Sequence, residues 1–294
     1  MELEFNSVFG LVDLYPDEQS CIDYLEERRW GGNVISPFDP TSIVYKCKNN
    51  RYRCKNTGKY FNVRTNTLFD NSKVDLRKWF MGIYLTTGHK KGISSHQLAR
   101  DIHVTQKTAW FMLHRMRNCF GEECIECLQN EVEADETYIG GKNKNRHKNK
   151  KVENSQGRSV KDKTPVFGMI ERDGLVVAQV VPDTKANTLT PVISKCVEKG
   201  SSVYTDEWKA YVLLHILFNH EVVLHNEGRY VIGRAHTNTI EGFWSHLKRM
   251  ILGIHHWVSP KHLQLYVDGQ AYRYNTRRIS ESRRFILYAA CFCA

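Results

Sequence analysis

The sequence lacks several features that would place it in common protein classes. It has no apolar run approaching the ~18 residues that a membrane helix needs. Its acidic start, Met1-Glu2-Leu3-Glu4, has neither the basic nor the apolar region of a signal peptide. Its nine cysteines are irregularly spaced, and Cys124-x-x-Cys127 has no matching second pair, which argues against a secreted disulfide framework and favours a plain helix position for that pair. We therefore expect a soluble cytoplasmic protein with reduced thiols and no membrane partner.

The chain has fewer acidic than basic residues. The chain has 42 Lys and Arg against 32 Asp and Glu, a formal net charge of +10, which favours an anionic partner. Residues 142–163 hold nine Lys or Arg against Glu153 and Asp162, with almost no apolar residues. We predict a flexible loop between two strands that grips a DNA backbone, with Lys148, Lys150 and Lys151 as its candidate contacts.

Residues 1–70 predict a helix followed by a small β unit. The helix starts near Pro16 and stops at Gly31-Gly32, and the strand-like pieces lie at residues 43–45, 52–54 and 60–63. So small a unit normally needs a staple such as structural zinc. A tetrahedral zinc site needs four ligands, and only Cys47 and Cys54 are at hand. We expect a ribbon held by aromatic packing, without zinc.

Residues 71–122 are predicted to be helical. Apolar residues recur at helical spacing in three segments, and the last two meet at a tight turn at residues 101–105, where Thr105 can cap the next helix. This is the layout of a helix-turn-helix, whose second helix enters the major groove of DNA. The candidate DNA contacts on that helix are Gln106, Lys107, Thr108 and Arg115.

Residues 123–294 predict an α/β domain with a central sheet flanked by helices. The predicted strands are residues 131–139, 165–170, 175–182, 202–205 and 221–224, and the predicted helices are residues 187–199 and 238–252. If strand 202–205 lies beside the first strand, Asp135 and Asp206 project toward one point. Glu241 then reaches the same point from the closing helix.

These three acidic residues suit metal-dependent chemistry. Hard magnesium takes carboxylate oxygens as ligands, and two divalent ions about 3.5–4 Å apart can support in-line attack on phosphorus. We predict Asp135, Asp206 and Glu241 as catalytic residues and metal ligands, with magnesium as the cofactor and manganese as a substitute. The predicted chemistry is phosphoryl transfer on a nucleic acid.

The closing helix carries two further candidates. Lys248 lies within about 20° of the face of Glu241 and roughly 10 Å further along the helix, where a cation suits a DNA phosphate. Trp244 has two open interpretations, because it can stack on an unpaired base or pack in the core.

Three motifs, at residues 135–141, 205–211 and 236–248, resemble those of the DDE transposases of bacterial insertion sequences. The chain is most similar to the group with an N-terminal zinc ribbon and a helix-turn-helix, and the similarity covers nearly its whole length. The resemblance implies a ribonuclease H-like catalytic domain preceded by a degenerate zinc-ribbon-like unit and a helix-turn-helix. It also implies cutting at the element's ends and joining of the 3′-hydroxyl to target DNA, with Asp135, Asp206 and Glu241 as metal ligands.

The resemblance further implies double-stranded DNA partners, both the element's terminal repeats and the target. Because two ends are handled together, a homo-oligomer on DNA is expected, in a bacterial cytoplasm and at the nucleoid when bound. The chain departs from the group at its zinc knuckles, where it reads Ser36, Asp39, Cys54 and Thr57, so that only Cys54 fits. His103 also stands where the turn of the helix-turn-helix often has glycine, a tolerable change because His is enriched at positive φ.

Other functions stay open at this stage. A transposase-derived DNA-binding regulator would keep the helix-turn-helix but would not require the three acids. A nuclease of the same fold could use the same acids without joining strands. A relaxase needs His-hydrophobe-His with a tyrosine nucleophile, which His255-His256-Trp257 does not fit, so these are interpreted as surface or DNA-facing residues.

Overall fold

A computed structural model describes residues 5, 7–121, 127–141, 143–153, 159, 161–223 and 236–290. The chain divides into two compact units, one of Met1–Glu122 with Arg278–Ala294 and one of Glu123–Arg277. Cys124 and Leu224, which belong to the predicted cysteine pair and to a predicted strand, lie outside the described residues. Among the described helices, none combines the length and the apolar character needed to cross a bilayer.

The first unit begins with helices and a small antiparallel sheet. Its elements before residue 122 are α1 (Val8–Leu14), α2 (Glu18–Trp30), β1 (Val44–Cys47), β2 (Arg51–Cys54), β3 (Tyr60–Phe61), α3 (Leu76–Gly88), α4 (Ser95–Asp101) and α5 (Gln106–Asn118). Helix α2 starts at a capping box between Asp17 and Ser20 and ends at Gly31, whose φ of 52° suits glycine. The predicted helix near Pro16 is therefore confirmed.

Aromatic rings pack against the small sheet. Trp30, Tyr52 and Phe61 form a cluster with ring centroids 5.2–6.1 Å apart. Cys47 pairs with Arg51 and Cys54 with Val44, so the two thiols lie at opposite ends of the β1–β2 hairpin and do not form one ligand pair.

Hydrogen bonds occupy the positions of the zinc knuckles. Burial opposes ionisation of Cys54, but hydrogen bonds with Ser36, Ser42 and Thr57 outweigh it and lower the pKa of that thiol to about 6. The Asp39 carboxylate accepts a bond of 2.7 Å from the Asn56 amide, which joins the first knuckle to the second. This polar network ties together the segments that a zinc ion would otherwise join.

The turn between α4 and α5 has the geometry expected from the sequence. His103 has a φ of 51°, as predicted for a position where glycine is common. The Thr105 hydroxyl accepts a bond from the Thr108 backbone N–H and caps α5. The sequence therefore predicted both the cap and the unusual backbone conformation.

The second unit has a five-stranded mixed sheet with helices on both faces. Its elements are β4 (Glu131–Ile139), β5 (Thr164–Glu171), β6 (Val176–Val180), α6 (Ala186–Cys196), β7 (Ser202–Thr205), β8 (Asn219–Val222), α7 (Asn238–Met250) and α8 (Leu263–Asn275). The strand order is β6-β5-β4-β7-β8, in which β4, β5 and β6 are antiparallel and β4, β7 and β8 are parallel. This mixed sheet flanked by helices confirms the predicted α/β fold class.

Alternate residues of β4 face opposite layers of the second unit. Val132 and Ala134 join the core on the side of α6. The intervening residues face α7, where the second core contains Ile240, Phe243 and Leu247. Because side chains alternate along a strand, Asp135 lies on the α7 face.

The C-terminal helix α9 (Glu281–Ala290) corrects the predicted domain boundary, which ran the third domain to residue 294. Residues 278–294 group with the first unit instead. The Tyr84 hydroxyl of α3 donates to the Glu281 carboxylate at 2.7 Å, and Phe285 packs edge-on against Phe80 at 5.4 Å. Such a contact between distant parts of the chain leaves no local trace in the sequence.

Candidate active site

Asp135 lies on β4, and Asp206 directly follows the neighbouring parallel strand β7. The β4–β7 register pairs Glu131 with Ser202 and Glu133 with Tyr204, and its extension by two residues places Asp206 opposite Asp135. Asp206 immediately follows the last residue of β7. The two strands lie side by side, as the sequence argument required, and this brings the two carboxylates close together at the carboxyl end of β7.

Asp135 is a buried acid in an unfavourable electrostatic environment. Burial, followed by the negative charges of Glu136 and Asp206, raises its pKa to about 7, and a hydrogen bond with Trp244 partly opposes this rise. The Trp244 indole N–H donates to an Asp135 carboxylate oxygen at 3.0 Å. Asp135 is therefore a group whose negative charge a bound cation would stabilise.

The two acids of the first motif point to opposite faces of the sheet. Glu136 is buried on the far side, where its carboxylate accepts a bond of 2.7 Å from the Tyr211 hydroxyl. Burial, followed by the charge of Glu136, raises the pKa of Tyr211. Glu136 is thus held within the fold, while Asp135 faces α7.

Trp244 is buried, which settles its two interpretations in favour of the core. The indole lies over Gly168, the β5 residue that pairs with Asp135. A Cβ atom at residue 168 would lie 2.5 Å from the indole ring, closer than real Cβ contacts allow. Gly168 therefore permits the tryptophan to lie flat enough to reach Asp135.

Glu133 anchors the start of α7 and was not identified from the sequence. Its side chain is fully buried. It accepts bonds from the backbone N–H groups of Thr239 at 2.8 Å and Ile240 at 3.0 Å, and from the Thr239 hydroxyl at 2.9 Å. The N-cap residue Thr237 makes no side-chain cap bond. A carboxylate from β4 therefore caps this helix, whose N-terminus favours negative charge.

Arg172 completes the environment of Glu133. Its guanidinium donates to Glu133 at 2.8 Å and to the backbone carbonyl of His236 at 3.0 Å. It also lies 4.3 Å from the ring centre of Tyr204 on β7. One arginine thus links β4, β7 and the segment that enters α7.

The sequence did contain a signal for Glu133. It lies two residues before Asp135, so its side chain is on the same face of the strand.

Glu241 lies in the first turn of α7, one turn before Trp244. It is exposed, and its carboxylate accepts a bond of 3.4 Å from the Thr237 hydroxyl. Within the described ranges, no group of three or more His, Cys, Asp or Glu side chains is close enough to hold a metal ion. The structure therefore brings Asp135 and Asp206 together, and places Glu241 on the helix that covers them.

The candidate DNA contacts of α5 differ in availability. Gln106 and Lys107 are exposed at its N-terminus, although the Gln106 amide donates to Ser95 at 2.8 Å. The Thr108 hydroxyl lies 2.9 Å from that of Thr105, within the helix cap. The Arg115 guanidinium donates to the carbonyls of Leu68 and Asp70 at 2.7 and 2.6 Å. Arg115 thus joins α5 to the preceding loop, and its contact with DNA stays a prediction.

The remaining candidate cations lie in the second unit. Lys148 and Lys151 are exposed between β4 and β5, where the described part includes short 3-10 turns at Asn143–Asn145 and Lys148–Lys150. The side chain of Lys150 lies outside the described atoms. Lys248 is exposed on α7, two turns after Glu241. The basic segment lies between two strands, as predicted.

Comparison with known proteins assigns the family. The model of the ISXO2-like transposase domain matches residues 127–275, which include Asp135, Asp206 and Glu241. The chain belongs to the ISXO2-like transposase family. A relative described as an uncharacterized protein in transposable element ISH50 of Halobacterium salinarum is 30% identical over 270 residues, covering 87% of this transposase and 90% of the relative. An uncharacterized transposase-like protein of Haemophilus influenzae is 30% identical over 105 residues, covering 35% and 84% respectively.

Similarity to solved structures is distant. A chain of the simian T-cell lymphotropic virus intasome in complex with the PP2A regulatory subunit B56 gamma gives a TM-score of 0.31 at 14% identity, covering 59% of the transposase and 63% of that chain. A chain of the Mos1 strand transfer complex gives 0.27 at 12% identity, covering 71% and 74%. Scores this low carry no argument about function.

Proposed function

We propose that this transposase binds the ends of an insertion sequence and catalyses metal-dependent cleavage of DNA strands and their transfer to target DNA. The observation that carries the proposal is the closeness of Asp135 on β4 to Asp206 at the end of the neighbouring strand β7, beneath the helix that bears Glu241. A buried carboxylate with a raised pKa is costly in the absence of a cation, so its presence at this edge supports a functional role.

Asp135, Asp206 and Glu241 are the proposed ligands. All three offer carboxylate oxygens, which suit magnesium and manganese. Divalent ions bound there would activate the attacking oxygen and stabilise the leaving one. In this scheme Asp135 is held by Trp244, and Glu133 fixes the start of the helix that presents Glu241. Glu241 would join the other two ligands by giving up its bond with the Thr237 hydroxyl.

The exposed cations are the proposed DNA contacts. Lys248 lies on the face of α7 that carries Glu241. When one DNA phosphate lies near the three acids, a neighbouring phosphate of the same strand is therefore within reach of the Lys248 ammonium group. Lys148 and Lys151 add positive charge beside β4, and Lys150 belongs to the same segment. Gln106, Lys107 and Thr108 are the proposed base-reading residues, because a recognition helix contacts DNA through its N-terminal residues. The proposal includes a homo-oligomer on DNA, since two ends are joined in one reaction.

The experiment is a strand-cleavage and joining assay with magnesium, on labelled DNA that carries the flanking element's ends. Wild type is compared with Glu241→Gln, which keeps the shape of the side chain and removes its charge. The proposal expects wild type to cut and join, and the variant to bind without doing either. Cutting without joining would assign a nuclease. Tight binding without chemistry by wild type would assign a regulator.

A further inference from the structure

The segment after α7 exposes an aromatic ring within a stretch of sequence that has no acidic residue. Trp257 is 67% exposed, a large value for a tryptophan. Between Glu241 and Asp268 the sequence contains no Asp or Glu, but it contains Lys248, Arg249 and Lys261. An exposed indole among cations has the composition of a surface for single-stranded nucleic acid, where bases stack on rings and the backbone meets positive charge.

The backbone before Trp257 is distorted in a way that presents the ring. Helix α7 passes into one turn of π-helix at Ile251–His255, a conformation that is rare and concentrated at functional sites. His256 then has φ 59° and ψ −43°, and the Trp257 N–H donates to the His255 carbonyl at 2.6 Å. This is a γ-turn with positive φ, which is strained in a residue other than glycine.

The turn is anchored on both sides of the exposed ring. The His255 imidazole packs edge-on against Tyr266 of α8, with ring centroids 4.8 Å apart. Val258, the residue after Trp257, is buried in the core that contains α7 and α8. The indole is therefore held out from fixed neighbours, which reduces the entropy lost when a ligand stacks on it.

The exposed face of α7 leads from the catalytic acid toward this turn. Glu241, Lys248 and Leu252 recur at helical spacing and are all exposed. Glu241 and Leu252 are about 16 Å apart along the axis, or roughly five nucleotides of one strand. A strand whose phosphate lies at Glu241 and whose backbone follows Lys248 thus reaches Trp257 a few nucleotides away.

We propose that Trp257 stacks on an unpaired base of the DNA strand that runs along α7. The proposal rests on the proposed function, because it takes DNA as the substrate. An unpaired base is the ligand, since the faces of paired bases are already stacked in a duplex and offer no surface to an indole. Strand cleavage and joining leave unpaired nucleotides beside the reacting phosphate, which supplies such a base.

The test measures the binding of the full chain to labelled oligothymidylate and to a duplex of equal length by fluorescence anisotropy. Trp257→Leu keeps an apolar side chain and removes the aromatic face, whereas Trp257→Phe keeps an aromatic face. Ile216→Ala is the matched control, because Ile216 is also 67% exposed but lies outside α7 and the turn that follows it. Since residue 257 is exposed, none of these changes creates a cavity.

The expected result is an approximately tenfold loss of oligothymidylate affinity in Trp257→Leu, with Trp257→Phe within about threefold of wild type. Duplex affinity stays unchanged in these variants, and both affinities stay unchanged in the Ile216→Ala control. Equal losses on oligothymidylate and duplex, or no loss on either, would overturn the proposal. Cleavage and joining by the wild type are assayed in parallel to separate the two hypotheses. If the wild type cuts and joins DNA and the changes at residue 257 have no effect on binding, only the stacking proposal is rejected. If Trp257→Leu selectively loses oligothymidylate affinity but the wild type shows no cleavage or joining, only the transposase reaction is rejected.

Discussion

Two carboxylates on one face of β4 experience opposite environments. Glu133 is surrounded by donors, which are the guanidinium of Arg172 and the N-terminal N–H groups of α7. Asp135, two residues further along, accepts bonds from the Trp244 indole and the Glu136 backbone N–H, and lies near the negative charges of Glu136 and Asp206. Two acidic residues of one strand therefore have opposite electrostatic surroundings.

The difference separates structural acids from functional ones. A buried charge whose partners are all present contributes to the geometry of the fold, and its removal leaves those partners unsatisfied. A buried charge near other negative charges costs stability and is retained where a reaction needs it. By this criterion Glu133 positions α7, while Asp135 is the group to which a metal ion would bind.

The largest expected effect is on chemistry at the Asp135 end of the strand. Asp135→Asn keeps the size of the side chain and its ability to accept the Trp244 bond, but removes a charged ligand. We expect strand cleavage to fall by about 10³-fold or more, with DNA binding retained. Time courses of cleavage with magnesium measure this. Cleavage within tenfold of wild type would remove Asp135 from the ligand set.

The next effect is on stability at the Glu133 end. Glu133→Ala leaves Arg172 and two N–H groups of α7 without their buried partner, so the free energy of unfolding should fall by about 3–5 kcal/mol. Glu131→Ala is the control, because the Glu131 side chain is partly exposed and lies 3.5 Å from the same arginine, and its loss should cost less than about 1 kcal/mol. Urea unfolding of the second unit measures both. Equal effects would contradict the assignment of Glu133 as the anchor of α7.

A smaller effect is expected where Trp244 meets the sheet. Gly168→Ala forces the indole away from β5, and overpacking of this kind costs about 1–3 kcal/mol. Because the indole also holds Asp135, the cleavage rate should fall as well. Gly242→Ala, on the open side of α7, should leave cleavage unchanged and should raise stability by up to about 1 kcal/mol. Thermal melting and cleavage rates measure the pair. Full activity in Gly168→Ala would show that the Trp244 contact does not position Asp135.

The smallest effect is a pH dependence of stability. The pKa of Asp135 rises from 3.8 in the unfolded chain to about 7 in the fold. Ionisation of Asp135 therefore costs the folded state no stability below pH 3.8, and the cost grows as the pH rises from there to about 7. Asp135→Asn should therefore raise the Tm by a few degrees above about pH 7 without divalent ions, and should not raise it near the unfolded pKa. Calorimetry across this range measures the difference. A rise confined to low pH would have the wrong sign.

Much of the site could be predicted because its signals are local. The bounds of β4 and β7 follow from local patterns typical of strands, and Asp135 lies beside Asp206 once the two strands are placed side by side. The cap at Thr105 and the positive φ of His103 follow from residue chemistry at one turn. Such features depend on few neighbours, so the sequence alone carries them.

The rest depends on partners far apart in the chain. The role of Glu133 becomes visible only when Arg172 and the start of α7 are placed around it. Arg115 was predicted as a DNA contact because its charge is visible in the sequence, whereas the carbonyls that it binds are not. The grouping of α9 with the first unit depends on contacts such as Tyr84 with Glu281, which no local pattern encodes.

The most direct test of this account measures magnesium-dependent cleavage and thermal stability in Asp135→Asn and Glu133→Gln side by side. The account predicts that Asp135→Asn loses cleavage and keeps or gains stability at about pH 8. It predicts that Glu133→Gln loses stability and keeps measurable cleavage at temperatures where it is folded. If Asp135→Asn destabilises the fold as Glu133→Gln does, or if it still cleaves DNA, the division between a structural and a functional carboxylate is wrong.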